Sequence, residues 1–142
     1  MLQEREENMS EKFVHHVCIQ TNDYKKSLHF YTEILGFDLI EETVNFHNRY
    51  YNSWLRLGSF YIELQTGKIG EDLPLNNAAS QGIVHLCLWV KDLVKELDYI
   101  KKMGFQVILK NNQEIYAVEN GSLCKLVAPE GTIIELRDNK GI

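Results

Sequence analysis

The sequence of this chain contains the same pattern twice. "HHVCIQTND" at residues 15–23 and "HLCLWVKD" at residues 85–92 both place a Cys two positions and an Asp seven positions after a His. "YIELQ" at residues 61–65 and "IIELR" at residues 133–137 form a second matching pair. A half of about 60 residues is marginally stable alone. The repeat therefore predicts two copies of one module that fold together as a single domain within the 142 residues.

Each half is predicted to contain a strand, a helix and three further strands. In the first half we expect a strand over 13–21, a helix that Asp23 caps and Gly36 ends, and strands over 38–43, 51–57 and 59–65. In the second half we expect a strand over 83–90, a helix that Asp92 caps and Gly104 ends, and strands over 106–109, 115–119 with a weaker extension to 127, and 132–137. The fold class expected is α+β, with two pseudo-symmetric β-α-β-β-β modules.

The same pattern gives the domain organisation. We assign residues 1–12 to a flexible N-terminal segment, 13–66 to module one, 67–82 to a linker, 83–138 to module two and 139–142 to a tail. The linker is rich in Gly, Asn and Ser and contains one of the two prolines of the chain. It connects two halves of one domain, because neither half is large enough to be stable independently.

Composition excludes several classes of function. Hydrophobic residues make up 44% and charged residues 25%, which is typical of a globular protein. The formal charge of −5 is spread over mixed acidic and basic residues, so nucleic-acid binding is not expected. No apolar run has the roughly 20 residues of a membrane span, and the charged N-terminus lacks a signal core, so a cytoplasmic protein is expected. Cys18 and Cys87 are expected to be small buried hydrophobes.

Strand alternation singles out four candidate metal ligands. Each of the four repeated strands has one aliphatic face and one face that carries a single His or Glu in mid-strand: His16, Glu63, His85 and Glu135. The histidines are 69 residues apart and the glutamates 72, as pseudo-symmetry requires. A lone His on a strand is usually structural, and a lone Glu is usually solvated. The residues alone therefore leave two interpretations open: a metal site, or side chains with no metal-binding role. Together, imidazole and carboxylate suit Zn²⁺, Ni²⁺, Co²⁺, Mn²⁺ or Fe²⁺.

Four stretches carry a resemblance to a known family. They are "HHVCIQTNDYKKSLHFYTEILGF", "FYIEL", "GIVHLCLWVKD" and "APEGTIIELRD". Over nearly all of residues 13–138 the chain resembles the vicinal oxygen chelate superfamily of glyoxalase, bleomycin-resistance and extradiol-dioxygenase proteins. The resemblance implies two β-α-β-β-β modules whose curved sheets surround a shared cavity.

The resemblance also implies a metal centre and a reaction. The family's four ligand positions correspond to His16, Glu63, His85 and Glu135. A His-Glu-His-Glu set resembles the glyoxalase I branch, a lyase or isomerase that converts a hemithioacetal through an enediolate. Zn²⁺ or Ni²⁺ is the expected ion, and Co²⁺, Mn²⁺ and Fe²⁺ are alternatives. By resemblance Glu135 is the main catalytic base and Glu63 serves on the opposite face. His15 is expected to point away from His16.

Two positions depart from the pattern of glutathione-using lyases. Gln20 stands where an Arg is usual and Gly67 where an Asn is usual, so the thiol and the substrate stay open. Tyr61, Trp89 and Ile133 are predicted either to line the cavity or to pack in its wall. Two interpretations are open for the group His47, Arg49, Tyr50 and Tyr51. One of them could bind an anion over the pocket, or, as we prefer, the group forms a solvated turn and strand edge. Arg56 and Arg137 have the same ambiguity, and His29 is expected to be a surface or packing residue.

Three functions compete at this stage. The first is a metal-dependent lyase or isomerase of the glyoxalase type acting on a small molecule. The second is another metal enzyme of the same fold, such as an epimerase or a dioxygenase, and the third is a protein that binds a small molecule or an antibiotic without catalysis. By resemblance a homodimer is expected, and the centre is built either within one chain or across two.

Overall fold

The computed structural model describes residues 11–142, so the predicted flexible segment 1–12 falls almost entirely outside the described residues. The first half contains β1 (His16–Thr21), α1 (Tyr24–His29), a π-helical turn (Phe30–Ile34), β2 (Asp38–Phe46), β3 (Arg49–Leu57) and β4 (Phe60–Thr66). The second half contains β5 (His85–Trp89), α2 (Leu93–Lys102), β6 (Val107–Ile108), β7 (Tyr116–Val118), β8 (Gly121–Val127) and β9 (Ile133–Arg137). Within the described residues, no helix is long and apolar enough to cross a bilayer.

The two halves form two sheets of related topology. The strand order is β1-β4-β3-β2 in the first sheet and β5-β9-β8-β6 in the second, with β7 also paired to β8. β1 is parallel to β4, β5 is parallel to β9, and the other pairs are antiparallel. The predicted α+β fold with two pseudo-symmetric modules is confirmed. The topology makes the first and last strands of each half neighbours, so one strand with a His lies beside one with a Glu.

The second half has one strand more than predicted. The strand predicted over 115–119 does not extend to 127. Instead β7 and β8 form a hairpin in which Val118 pairs with Gly121. Glu119 and Asn120 therefore make a two-residue turn, the length that favours a tight hairpin. β1 and β5 are also shorter than predicted. Both begin at their candidate His, and the preceding Phe13 and Ile83 are exposed.

Both predicted helix caps are present. The Asp23 carboxylate accepts a hydrogen bond from the Lys26 amide (3.2 Å), and that of Asp92 accepts one from the Lys95 amide (3.1 Å). The chain leaves both helical segments through a glycine with positive φ, 85° at Gly36 and 87° at Gly104. An L-residue with a side chain rarely adopts this conformation, which is why glycine ends helices here.

One hydrophobic core joins the two halves. It contains residues from both sheets and both helices, among them Phe30, Ile62, Ile100 and Ile134, all fully buried. The ring of Phe30 packs against that of Phe105 with centroids 4.9 Å apart. Because the helices and the aliphatic sheet faces are used in this core, the opposite sheet faces, which carry the candidate ligands, remain free for a site.

The turn before β9 ties the halves together with polar contacts. The buried Glu130 carboxylate accepts hydrogen bonds from the Ser27 hydroxyl (2.9 Å) and the Tyr31 hydroxyl (2.8 Å), both in the first half. Burial, followed by the charge of Glu130, raises the pKa of the Tyr31 phenol well above its usual value. Tyr31 therefore stays protonated and remains a donor to this carboxylate.

Candidate metal centre

The first half brings His16 and Glu63 together. In the parallel pairing of β1 and β4, His16 lies opposite Tyr61, and Glu63 lies opposite Cys18. His16 and Glu63 are therefore diagonal neighbours on one face of the sheet. His16 Nε2 is 3.7 Å from Glu63 Oε1. This separation leaves both atoms directed at a common point between two adjacent strands.

The second half repeats this geometry. β5 and β9 are parallel, Cys87 lies opposite Glu135, and His85 lies opposite Ile133. The distance from His85 Nε2 to Glu135 Oε1 is again 3.7 Å. The side chain of Glu135 is 10% exposed, against 20% for Glu63. The sequence repeat is thus a repeat of a specific imidazole–carboxylate arrangement.

A single chain holds these groups as two separate pairs. Within residues 11–142 there is no cluster of three or more His, Cys, Asp or Glu side chains close enough to hold one metal ion. Of the two arrangements left open by the sequence, the single-chain one is therefore not the arrangement in this structure. Each half presents one His and one Glu, which is half of a four-ligand set.

The contacts around the first pair leave its metal-binding atoms free. His16 Nδ1 lies 2.9 Å from His15 Nδ1, so Nε2 is the ring nitrogen available to a metal. The Asn52 amide donates a hydrogen bond to Glu63 Oε2 (3.3 Å) and leaves Oε1 facing the imidazole. The ring of Trp54 stands edge-on to that of His16, with centroids 4.8 Å apart. Such neighbours fix the orientation of metal ligands in proteins.

The prediction for His15 was wrong. Its ring contacts His16 and Trp54 and stacks on Tyr61, all on the face that carries the candidate ligands. Alternation fails here because β1 begins at His16, so residue 15 precedes the regular strand. Asn52 and Trp54 were not singled out from the sequence either. Only the register of β3 against β4, which pairs Trp54 with Glu63, brings them to the site.

The second pair lacks a counterpart of His15. Val84 stands at that position, and His85 Nδ1 is buried without a hydrogen-bond partner among the described residues. In both halves the donors presented are an imidazole Nε2 and a carboxylate oxygen. This donor set suits a borderline divalent ion such as Zn²⁺ or Ni²⁺, so the residues present fit the expected metal.

Cys18 and Cys87 are not buried, contrary to expectation. Both are exposed, because they lie on the ligand-bearing faces that no helix covers. Partial desolvation, followed by the charge of Glu63, raises the pKa of the Cys18 thiol to about 11. Desolvation and a hydrogen bond to Glu135 raise the pKa of Cys87 to about 12. Both thiols stay protonated near neutral pH and can donate to the adjacent carboxylates.

A cleft separates the first strands of the two halves. It has a volume of about 520 Å³ and is lined by residues of β1, β5 and the linker, including Gln20, Pro74 and His85. The buried Glu130 also reaches it. His85 is the one candidate ligand that lines this cavity, which is large enough for a small molecule.

The remaining residues singled out from the sequence fall into two groups. Tyr51 stacks on Tyr24 with ring centroids 4.0 Å apart, and His47 lies in the β2–β3 turn with a positive φ of 45°. These two are structural. Arg49 and Arg137, in contrast, approach the ligand-bearing faces. Arg49 donates a hydrogen bond to the Gln20 side chain. The positive charge of Arg137 lowers the pKa of the Cys87 thiol, against larger effects that raise it.

The sequence matches a known superfamily. Residues 15–123 match the model of the Glyoxalase/Bleomycin resistance protein/Dioxygenase superfamily. The chain belongs to this superfamily. The match covers the first sheet and reaches the start of β8 in the second, so β9 with Glu135 lies beyond it.

The proteins to which this chain is similar have names that describe different functions. An uncharacterized protein, YwkD of Bacillus subtilis, is 33% identical over 96 residues, which cover 67% of this chain and 74% of the relative. A probable lactoylglutathione lyase of Vibrio cholerae is 28% identical over 138 residues, covering 93% and 94%. A crystal structure of a mutant of the fosfomycin resistance protein FosX from Listeria monocytogenes, complexed with Mn(II) and a dihydroxypropylphosphonic acid, has a TM-score of 0.74 at 12% identity and covers 92% of this chain and 95% of that one.

Proposed function

We propose that this protein is a divalent-metal-dependent lyase or isomerase of the glyoxalase I type. The observation that carries the proposal is the pair of matching His–Glu arrangements, each with a 3.7 Å separation between Nε2 and Oε1. The similarity to a probable lactoylglutathione lyase over 93% of the chain supports it. The substrate class is a small molecule with two oxygens on adjacent carbons, such as a hemithioacetal.

In this proposal the centre is shared between two subunits. His16 and Glu63 of one chain would hold the metal together with His85 and Glu135 of a second copy. Two considerations support a homodimer. One chain presents its pairs separately, and a two-fold dimer of such chains completes two identical centres at once.

Each ligand has a defined role. A metal held by these residues would supply Lewis acidity, which would make the proton on the reacting substrate carbon easier to remove. His16 and His85 contribute neutral Nε2 atoms. His15 holds Nδ1 of His16, and Asn52 holds the distal oxygen of Glu63. This support keeps the donors in place without reorganisation during turnover.

Glu135 is the proposed catalytic base. Its carboxylate is the more enclosed of the two, with 10% side-chain exposure against 20% for Glu63. It takes a proton from one substrate carbon and returns it to the adjacent carbon, the work of a general acid–base group. Glu63 holds the equivalent position on the opposite side and serves a substrate bound in the other orientation.

A turnover assay tests this proposal. Protein loaded with Ni²⁺ or Zn²⁺ is mixed with methylglyoxal and a series of thiols, and thioester formation is followed by absorbance. We expect turnover with at least one thiol. Glu135→Gln should reduce kcat about 10²–10⁴-fold, the usual contribution of a general base, while Glu119→Gln on the exposed β7–β8 turn should leave it unchanged. Absence of turnover with every thiol, or an unaffected Glu135→Gln variant, would contradict the proposal.

A second candidate is a metal enzyme of the same fold with another substrate. The FosX structure, which contains Mn(II) and a phosphonic acid, favours it. The same protein preparation distinguishes the two candidates. Stoichiometric metal together with no thioester from any thiol would point to this second function, whereas absence of metal would favour a binding protein without catalysis.

A further inference from the structure

Two cationic residues lie beside Glu135 on the ligand-bearing face of the second half. Lys125 stands directly opposite Glu135 in the antiparallel pairing of β8 and β9, and Arg137 follows Glu135 by two residues on β9. Residues directly opposite each other, or two apart along a strand, share one face of a sheet. The proposed base therefore has one cation on the neighbouring strand and another on its own strand.

No carboxylate in the part of the chain that the structure describes compensates these two charges. Lys125 and Arg137 are both half-buried, yet neither forms a salt bridge with a described carboxylate, that of Glu135 included. Arg137 Nε is buried and has no hydrogen-bond partner among the same residues. Charged side chains that are removed from water are usually paired with an opposite charge. An anion from outside the chain would supply the missing partner.

The first half has no cation at the matching positions. Trp54 stands opposite Glu63 in the pairing of β3 and β4, and Gln65 follows Glu63 by two residues on β4. These are the positions that Lys125 and Arg137 occupy in the second half. The two modules therefore repeat the candidate ligands but not their surroundings. One side of the proposed centre is aromatic and amide-bearing, and the other side, next to the proposed base, is cationic.

The spacing of the two cations suits one small anion close to the centre. Lys125 and Arg137 are diagonal neighbours on adjacent strands, so their Cβ atoms are roughly 7–8 Å apart. Two side chains of this length can converge on one group between them. The Cα atom of Glu135 is about 5 Å from that of Lys125 and about 7 Å from that of Arg137. An anion held by both cations is therefore joined to the reacting carbons by a short spacer.

We propose that Lys125 and Arg137 bind the phosphate group of a phosphorylated substrate. The inference rests on the proposed function, since it places the reacting oxygens at the metal centre. It narrows the substrate class to small phosphate monoesters that carry two oxygens on adjacent carbons and the phosphate on the next carbon. A phosphate fits because its charge of nearly −2 matches two cations, and its oxygens can accept hydrogen bonds from a guanidinium and an ammonium together.

Binding of chelating probes tests the inference without turnover. Glycolohydroxamate offers two adjacent oxygens to the metal, phosphoglycolohydroxamate adds a phosphate on the neighbouring carbon, and the monohydroxamate of malonic acid places a carboxylate there instead. Their dissociation constants for the metal-loaded protein are measured by calorimetry. We expect the phosphate probe to bind about 100-fold more tightly than glycolohydroxamate, since each charge-assisted hydrogen bond contributes about a factor of ten. It should also bind more tightly than the carboxylate probe.

Matched variants show whether the preference belongs to these two residues. Lys125→Gln and Arg137→Gln should each lower the preference for the phosphate probe over glycolohydroxamate about tenfold. Arg137→Lys retains the charge and should keep part of it, which guards against a folding defect of Arg137→Gln. Lys102→Gln removes an exposed lysine at the end of α2 and should keep all of it. A preference that survives both glutamine substitutions would overturn the inference. So would a carboxylate probe that binds as tightly as the phosphate probe, because the ligand class would then be wrong.

The same titrations separate this inference from the proposed function. Glycolohydroxamate reports on the metal centre alone. If it binds to the wild-type protein and the phosphate adds nothing, only the subsite of Lys125 and Arg137 is wrong. If none of the probes binds, the metal-centre proposal is wrong and the subsite is refuted with it.

Discussion

His15 is the residue whose role changed most between sequence and structure. It lies outside β1, yet its Nδ1 meets His16 Nδ1 at 2.9 Å, and its ring stacks on Tyr61. With His16 Nδ1–H as the donor and His15 Nδ1 as the acceptor, Nε2 of His16 carries the free lone pair that a metal needs. His15 is therefore a positioning residue for a proposed metal ligand.

Replacing His15 tests this role directly. His15→Phe keeps an aromatic ring against Tyr61 and removes the nitrogen. We expect the metal affinity to fall about 10–100-fold, as is usual when a group that orients a metal ligand is lost. Competition with a chromophoric chelator measures the affinity. His29→Phe, on the exposed side of α1, is the control and should match the wild type. Equal affinities for all three proteins would show that His15 has no positioning role.

Some residue-scale features are readable from sequence and others are not. The ligand-bearing face follows from alternation, because Glu63 and Glu135 lie inside regular strands and His16 and His85 are the first residues of theirs. The exposure of Cys18 and Cys87 does not follow, since it depends on which face the helices cover. Gln20 is uncharged, and its contact with Arg49 has no signal in the sequence because the two residues are brought together only by the fold.

At the scale of elements, the capping residues and the glycines predicted where the helices begin and end. The runs of strand-forming residues did not predict where one strand ends and a hairpin turn begins. The run from 115 to 127 was predicted as one strand, weaker beyond 119, because residues such as Ile115, Tyr116 and Val118 favour strands. The Asn120–Gly121 pair carries the turn signal that divides it into β7 and β8. The π-helical turn at Phe30–Ile34 had no signal, because its apolar spacing also fits an α-helix.

Gly121 at the start of β8 is an element-scale test of this packing. A Cβ there would lie 2.6 Å from Asp138 Oδ1 and 2.7 Å from the Asn139 Cβ, so Gly121→Ala must displace the segment after β9. We expect a loss of about 1–3 kcal/mol in the free energy of unfolding, measured by urea denaturation. Gly141→Ala meets only contacts of 3.8 Å or more and should be neutral. A neutral Gly121→Ala would mean that this segment is not held against β8.

At the scale of the whole molecule, Glu130 joins the two halves through hydroxyl donors of the first. Tyr31→Phe removes one donor from a buried carboxylate, so we expect a cost of about 1.5–3 kcal/mol in unfolding free energy. Urea denaturation at fixed protein concentration measures it. Tyr50→Phe, at an exposed position with 55% exposure, is the matched control. If the two variants are equally stable, the Glu130 contacts do not hold the halves together.

The arrangement of the halves is what sequence could not decide. The repeat predicts two His–Glu pairs but carries no information on whether they meet within one chain. Packing decides this: the helices and the aliphatic faces of both sheets share one core, and the two ligand pairs stay apart. The proposed four-ligand centre therefore includes a second copy of the chain.

Mixing two inactive variants tests the shared centre most directly. One variant carries His16→Ala and Glu63→Ala, and the other carries His85→Ala and Glu135→Ala. Alone, each should bind no stoichiometric metal, because every centre has lost one pair. After subunit exchange, half of the dimers are mixed and each has one intact centre, so metal content by mass spectrometry should recover to about a quarter of the wild-type value. No recovery in the mixture, or full metal binding by either variant alone, would contradict a four-ligand centre built across two subunits.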